Sequence, residues 1–258
     1  MGEREELGRW AVIAGASEGL GAAFARALAA RGHDLVLIAR RAGPLEELAQ
    51  QLRSAHRVEV VTAAVDLAGG VDPVASLVEG REVGVLVCNA AYAPLGPFAD
   101  LPLNQKLQVV DVNCRAPVAL LHGVLPGMIA RKKGAVVLMS SLTAFQGSPY
   151  AGIYGATKAF NLSLAEALWA EAAPHGVKVL ACCAGATRTP GYLRSMPGGA
   201  PGELEPDEVV AQTLAALGSG PLLIPGAFNR LASFVLRRLL PRRVAITLMG
   251  TQTRKLLR

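Results

Sequence analysis

Residues 10–28 read Trp10-Ala11-Val12-Ile13-Ala14-Gly15-Ala16-Ser17-Glu18-Gly19-Leu20-Gly21-Ala22-Ala23-Phe24-Ala25-Arg26-Ala27-Leu28. The opening apolar run predicts a buried strand, the three glycines a turn, and the alanine-rich run a helix. Glycine lets the backbone turn tightly and approach a ligand closely, while the first turn of a helix offers free N–H groups and the positive end of its dipole. Strand, glycine turn and helix in this order suit a pyrophosphate, although glycines so spaced also serve as plain turns. The spacing is GxxxGxG, not GxGxxG.

The alternation continues along the chain. Strand-like apolar runs at 34–39, 58–62, 83–87, 134–139 and 177–182 are interleaved with helical stretches that include 103–130 and 150–172. This predicts an α/β fold, a doubly wound parallel sheet with helices on both faces. A length of 258 residues and 52% hydrophobic content are enough for one undivided core, and no linker or repeat divides residues 1–258. Ligands of such sheets bind beyond the C-terminal strand ends, where Gly15, Asn89, Ser141 and Gly185 fall.

Tyr154 and Lys158 stand four apart in a predicted helix, so both side chains can enter one cleft. A nearby cation favours the phenolate and brings a tyrosine, ordinarily titrating near ~10, toward use as a general acid/base. Ser141, thirteen positions upstream, can donate to a carbonyl oxygen where charge develops. Taken alone, the YxxxK spacing also describes a core tyrosine beside a solvated lysine.

The glycine turn, Cys88-Asn89-Ala90-Ala91, Asp111-Val112-Asn113 and the set Ser141, Tyr154 and Lys158 occur in one order. On these motifs the chain resembles the short-chain dehydrogenase/reductase family over nearly its whole length. The resemblance implies a Rossmann-type fold with Tyr154 as proton donor or acceptor and Ser141 holding the reacting oxygen. It gives Lys158 the nicotinamide ribose and a lowering of the tyrosine pKa, and Asn113 a proton relay through water. It further implies cofactor contacts at Gly15, Ser17, Glu18, Gly19, Leu20, Gly21, Asp66, Leu67, Asn89, Ala90, Gly185, Thr187 and Thr189, besides Tyr154 and Lys158. Three positions depart from the family pattern: Ala14 replaces a threonine, Cys88-Asn89-Ala90-Ala91 replaces Asn-Asn-Ala-Gly, and Ala184-Gly185 replaces Pro-Gly. None removes a catalytic group.

Charge points to the form of the cofactor. An acid ending the second strand would accept from a ribose hydroxyl and repel a 2′-phosphate. Here the strand ends in Ala39 and is followed by Arg40 and Arg41, whose guanidinium groups suit a phosphate, so NADP(H) is expected over NAD(H).

Four cysteines, at 88, 114, 182 and 183, have apolar neighbours and read as small buried thiols; no disulfide framework or metal-ligand spacing follows. A reducing cytoplasm fits, the N-terminus lacks an apolar signal core, and no apolar segment reaches membrane-spanning length. Residues 190–206, rich in glycine and proline, read as a mobile substrate lid, with Tyr192 and Met196 on an apolar underside. Tyr92, Leu95, Phe98, Phe145 and Tyr150 are further wall candidates, and each is equally a core residue. The basic extension 228–258 holds eight Lys or Arg from position 230 onward and no acid; the rest of the chain carries 18 basic and 20 acidic groups. A helix packed on the fold or in a subunit interface, its arginines in water, is expected there ahead of contact with a membrane surface. Nucleic-acid binding is not expected, as no aromatics are interleaved with the basic residues.

The expected activity is hydride transfer between a nicotinamide and a carbonyl or secondary alcohol, with ketone reduction favoured. An apolar substrate is expected, such as a 3-oxoacyl, steroid-like or aromatic ketone. The alternative is an NADP(H)-binding regulatory or scaffold protein without turnover. The family's habit implies a homodimer or homotetramer.

Overall fold

A computed structural model describes residues 3–195, 198–255 and 257. After a short helix, α1 (Glu3–Leu7), the chain lays down β1 (Trp10–Ala14), α2 (Gly19–Ala30), β2 (Asp34–Ala39), α3 (Ala42–His56) and β3 (Val60–Ala64). Then follow α4 (Asp72–Val78), β4 (Val83–Cys88), α5 (Leu103–Val110), α6 (Ala116–Arg131) and β5 (Gly134–Ser141). The last part holds α7 (Gly152–Ala172), β6 (Val177–Ala184), α8 (Pro190–Ser195), α9 (Pro206–Ala215), β7 (Leu222–Leu223), α10 (Ala227–Phe234) and α11 (Arg242–Lys255).

The seven strands form one parallel sheet in the order β3-β2-β1-β4-β5-β6-β7. Every residue of β1, β2 and β4 is buried, which is why these strands read as continuous apolar runs instead of alternating ones. One apolar layer joins Phe24, Leu28, Leu45, Leu52 and Leu214 of α2, α3 and α9 to one face of the sheet. The other joins Val74, Leu121, Val124, Met128 and Ala165 of α4, α6 and α7 to the opposite face. The order reverses between β1 and β4, the crevice where such sheets bind ligands.

Three expectations are corrected in detail. β3 starts at Val60 instead of 58, because Arg57 closes α3 in the left-handed region at φ 57° and residues 58–59 are spent on the connection. The single helix expected over 103–130 is broken by a π turn at Asp111–Arg115. Pro117 explains the break: it has no N–H for the carbonyl four residues back, which is that of Asn113.

The start of the expected mobile loop is the helix α8. Thr189 caps it, accepting the Tyr192 N–H on Oγ1 at 3.2 Å and the Leu193 N–H on its carbonyl at 2.9 Å, and Pro190 fits the first helical position. Among the described residues no helix is long and apolar enough to cross a membrane.

Candidate active site

Gly15, Asn89, Ser141 and Gly185 stand at the C-terminal ends of β1, β4, β5 and β6, as the alternating pattern required. The glycine turn is built for close approach. A Cβ on Gly15, at φ +81°, would lie 2.7 Å from Ala90 Cα, and one on Gly21 only 1.9 Å from the Gly15 carbonyl oxygen. Asn89 fastens the turn by donating from Nδ2 to Gly15 O at 2.9 Å, while its backbone N–H donates to Ala14 O at 3.2 Å. The departures at Ala14 and Cys88 therefore leave this fastening intact; Cys88 is buried and its thiol is pushed up to about 12. Gly21→Ala should unseat the turn and lower nicotinamide-nucleotide affinity at least tenfold, measurable by fluorescence titration, because the atom it meets is backbone.

Above the turn opens a cleft of about 510 Å³. It is lined by Gly15, Ser17, Glu18, Gly19, Leu20, Arg40, Arg41, Asp66, Leu67, Asn89, Ala90 and Thr189 from the expected set, with Tyr92. The cradle that only glycine fills, the exposed Arg40 and the absence of an acid at the end of β2 fit a phosphorylated dinucleotide. Arg41 is engaged inside the cleft, donating to Glu18 at 2.7 Å, and Glu18 also meets Arg194 of α8 at 3.5 Å, so α8 reaches the glycine turn. Asp66 does two things at once: it faces the cleft and caps the turn after β3 by accepting from Ala68 N–H at 3.1 Å. Gly185 and Thr187 lie outside the cleft wall. Thr187 Oγ1 donates to Gly185 O at 3.2 Å, and a Cβ on Gly185 would meet Asn229 Nδ2 at 2.8 Å, so Gly185 packs against α10.

The proton-transfer set converges between β5 and α7. Lys158 is buried and donates from Nζ to Met139 O at 2.9 Å, while Ser140 Oγ donates to Lys158 O at 2.7 Å. Burial pulls the Lys158 ammonium down to about 8, with Cys114, Cys183, Cys88 and Cys182 pulling weakly back. Its Nζ stands 5.5 Å from the centroid of the Tyr154 ring. Burial pushes the Tyr154 phenol above its ordinary value, and a hydrogen bond with Ser141 offsets part of the rise. The direction thus runs against the lowering anticipated from Lys158: desolvation is the largest cause, and the hydrogen bond with Ser141 is what opposes it. Asn113, fully buried in the π turn, accepts from Tyr92 N–H at 2.8 Å and donates to Tyr92 O and Thr157 Oγ1, each at 3.0 Å. Both its amide protons are committed to tying the loop after β4 to α7.

The wall candidates separate. Tyr92 lines the cleft, whereas Phe98 is exposed beneath Lys106 and belongs to the surface. Tyr192 is not simply an apolar underside: its hydroxyl donates to Glu203 at 2.8 Å, Glu203 pairs with Arg188, and burial followed by the Glu203 carboxylate pushes the phenol up to about 12. Met196 lies outside the described residues. Phe145 and Tyr150 are both covered by the C-terminal extension. Arg237 sits 4.0 Å over the Phe145 ring, and the Arg254 guanidinium donates to the Tyr150 hydroxyl, its Nε at 3.1 Å. Tyr150 is held in the left-handed region at φ 67°, its carbonyl accepting from Gly96 N–H at 2.8 Å. Thr157, Asn229, Arg237 and Arg254 were missed by sequence reasoning. Asn229 and Ser233, two polar residues four apart in an apolar stretch, were the one usable signal.

The short chain dehydrogenase family matches residues 9–195. The chain belongs to that family and is an oxidoreductase. It is 34% identical over 238 residues to the 7β-hydroxysteroid dehydrogenase of Collinsella aerofaciens, covering 89% of this chain and 90% of the relative. A solved 7β-hydroxysteroid dehydrogenase, analysed for its stereoselectivity, superposes with a TM-score of 0.92 at 32% identity, covering 96% of this chain and 99% of that one. A short-chain dehydrogenase from Sphingobium yanoikuyae in complex with NADPH superposes with a TM-score of 0.76 at 34% identity, over 84% of this chain and 87% of that one.

Proposed function

We propose that the protein reduces a bulky, steroid-like ketone with NADPH and that Tyr154 donates the proton. The observation that carries this reading is the meeting of Ser141, Tyr154 and Lys158 between β5 and α7, in a fold whose cleft presents Arg40 and no acid ending β2. Bound there, the cofactor would supply the hydride. Ser141 orients the carbonyl oxygen, and Tyr154, held protonated by burial, gives it a proton. Lys158 binds the ribose and supplies positive charge as the phenolate forms. Asn113 fixes the floor of the site and supports a relay water. The steroid-like class is supported by the 7β-hydroxysteroid dehydrogenase structure, which matches 96% of this chain, as against the 84% shared with the NADPH-bound dehydrogenase. Exposed Leu103, Leu107, Phe160 and Trp169 on α5 and α7 suit a homodimer or homotetramer, and the free thiols suit a reducing cytoplasm.

The test is NADPH oxidation across keto-steroids, 3-oxoacyl thioesters and small aromatic ketones, repeated with NADH and with Arg40→Asp. Turnover with NADPH on keto-steroids is expected. Arg40→Asp should raise the KM for NADPH about ten- to hundredfold, the value of a charge-assisted hydrogen bond, while sparing NADH. Tight NADPH binding with no turnover on any ketone would favour the regulatory alternative.

A further inference from the structure

We propose that the outer face of α10, with the basic segment that follows it, docks on an anionic lipid surface. A helix packed on a protein core ordinarily turns its apolar stripe inward. α10 does the opposite. Asn229 and Ser233 are buried, whereas Phe228, Leu231 and Phe234 are 54%, 64% and 55% exposed, and Leu239 beyond the helix is 64% exposed. Asn229 fixes the rotation by donating to Gly202 O and Pro225 O, both at 3.1 Å. At 100° per residue the three exposed residues span an arc of about 120°, with Asn229 and Ser233 opposite. Large apolar side chains gathered on one exposed face mark a surface that something covers.

Charge selects the occupant. Arg230 and Arg238 are exposed along this stretch, Arg242 and Arg243 at the start of α11, and the segment from 230 to the end of the chain contains no acid. Among the described residues none of these four arginines pairs with a carboxylate. A second copy seated by two-fold symmetry would bring this patch against itself, arginine facing arginine. An anionic bilayer satisfies both features, with the aromatic and leucine side chains entering the headgroup boundary and the arginines among the phosphates. The segment also touches the substrate side of the site, through Arg237 on Phe145 and Arg254 on Tyr150. Docking would therefore set that side of the catalytic domain beside the phase into which an apolar ketone partitions. The inference does not depend on which ketone is reduced.

Sedimentation of the full chain with vesicles tests it, using phosphatidylcholine alone and phosphatidylcholine mixed with phosphatidylglycerol. Binding is expected only to the mixed vesicles and should weaken with added salt. The double variant Leu231→Glu/Phe234→Glu should lose it. Arg238→Gln/Arg243→Gln should lower partitioning about thirtyfold, from ~1 kcal/mol per arginine at an anionic surface and 1.4 kcal/mol per factor of ten. Both variants should keep the parent circular-dichroism melt and turn over a water-soluble ketone at the parent rate. The proposal is overturned by absence of binding to either vesicle, or by binding that both variants leave unchanged. It is equally overturned if the glutamate variant converts a dimer to a monomer without any vesicle binding, which assigns the face to a second copy. Failure of every ketone assay, by contrast, would remove the reductase reading and leave the vesicle result standing.

Discussion

Tyr154→Phe is expected to lower ketone reduction by about a thousandfold or more while leaving NADPH affinity within a few-fold of the parent. The substitution deletes one oxygen and keeps the ring, so the site would lose the proposed proton donor without losing shape. General acid catalysis by a positioned group is worth about 10²–10⁴ in rate, and the hydroxyl also faces Ser141, which would lose its partner on the carbonyl oxygen. The direction of the Tyr154 shift adds a pH signature. Burial raises the phenol, so the proton-bearing form that reduction requires dominates throughout neutral pH, and the reductive rate should fall only as pH climbs past the ordinary tyrosine value. Alcohol oxidation needs the phenolate and should rise with pH over the same range. Steady-state rates in both directions, with a fluorescence titration of NADPH, check the prediction. A variant that keeps a tenth of the parent reduction rate would remove Tyr154 from the proton-transfer role.

Strand ends and the residues just beyond them were legible because buried parallel strands are apolar on both faces, and because a turn against backbone tolerates only glycine. The Gly15 and Gly21 environments show the second point directly, since a methyl group there would strike Ala90 or the Gly15 carbonyl. The cleft-lining residues followed, since topology alone puts them at the crevice. What escaped were features decided by long-range contact. Nothing local in Asp111–Arg115 announces a π turn, although Pro117 six residues past Asp111 was a hint in plain view. Helix α8 hid behind its own composition: glycine and proline suggested a loop, yet Thr189-Pro190 is a helix start. The C-terminal extension mixed apolar and basic residues at helical spacing, which says that a helix forms but not which side faces in. Asn229 settles that by bonding Gly202, a contact across 27 positions that no periodicity encodes. The same segment packs on the loop between Ser141 and Tyr154: a Cβ on Gly147 would meet Ile246 at 3.7 Å, and one on Gly250 would meet Pro149 at 3.0 Å.

Lys158→Met is expected to abolish reduction and, at the same time, to make the protein more stable to heat. The ammonium is buried with one hydrogen bond, to Met139 O, and its titration falls from 10.5 to about 8 because burial opposes the charge. For a base whose folded value lies below its unfolded one, the fold carries a cost that is fully present below pH ~8 and disappears as pH rises toward the unfolded value. The drop corresponds to about 3 kcal/mol at neutral pH. Methionine removes that cost and fills similar space with a flexible apolar chain, while giving up a charge-assisted hydrogen bond worth about 1.5–3 kcal/mol. The net gain is about 1 kcal/mol, or roughly 2–4 °C in Tm for a domain of this size. Calorimetry of parent and variant without nucleotide separates the terms by pH: the parent should gain stability between pH ~8 and ~10 as Lys158 loses its proton, and the variant should not, so the two curves approach and then cross. The catalytic loss has a different origin, since methionine can neither bind a ribose hydroxyl nor offset a phenolate. A lysine that destabilises the fold and is required for turnover is one held for its chemistry. A variant less stable than the parent at every pH would instead make Lys158 a structural bolt between β5 and α7.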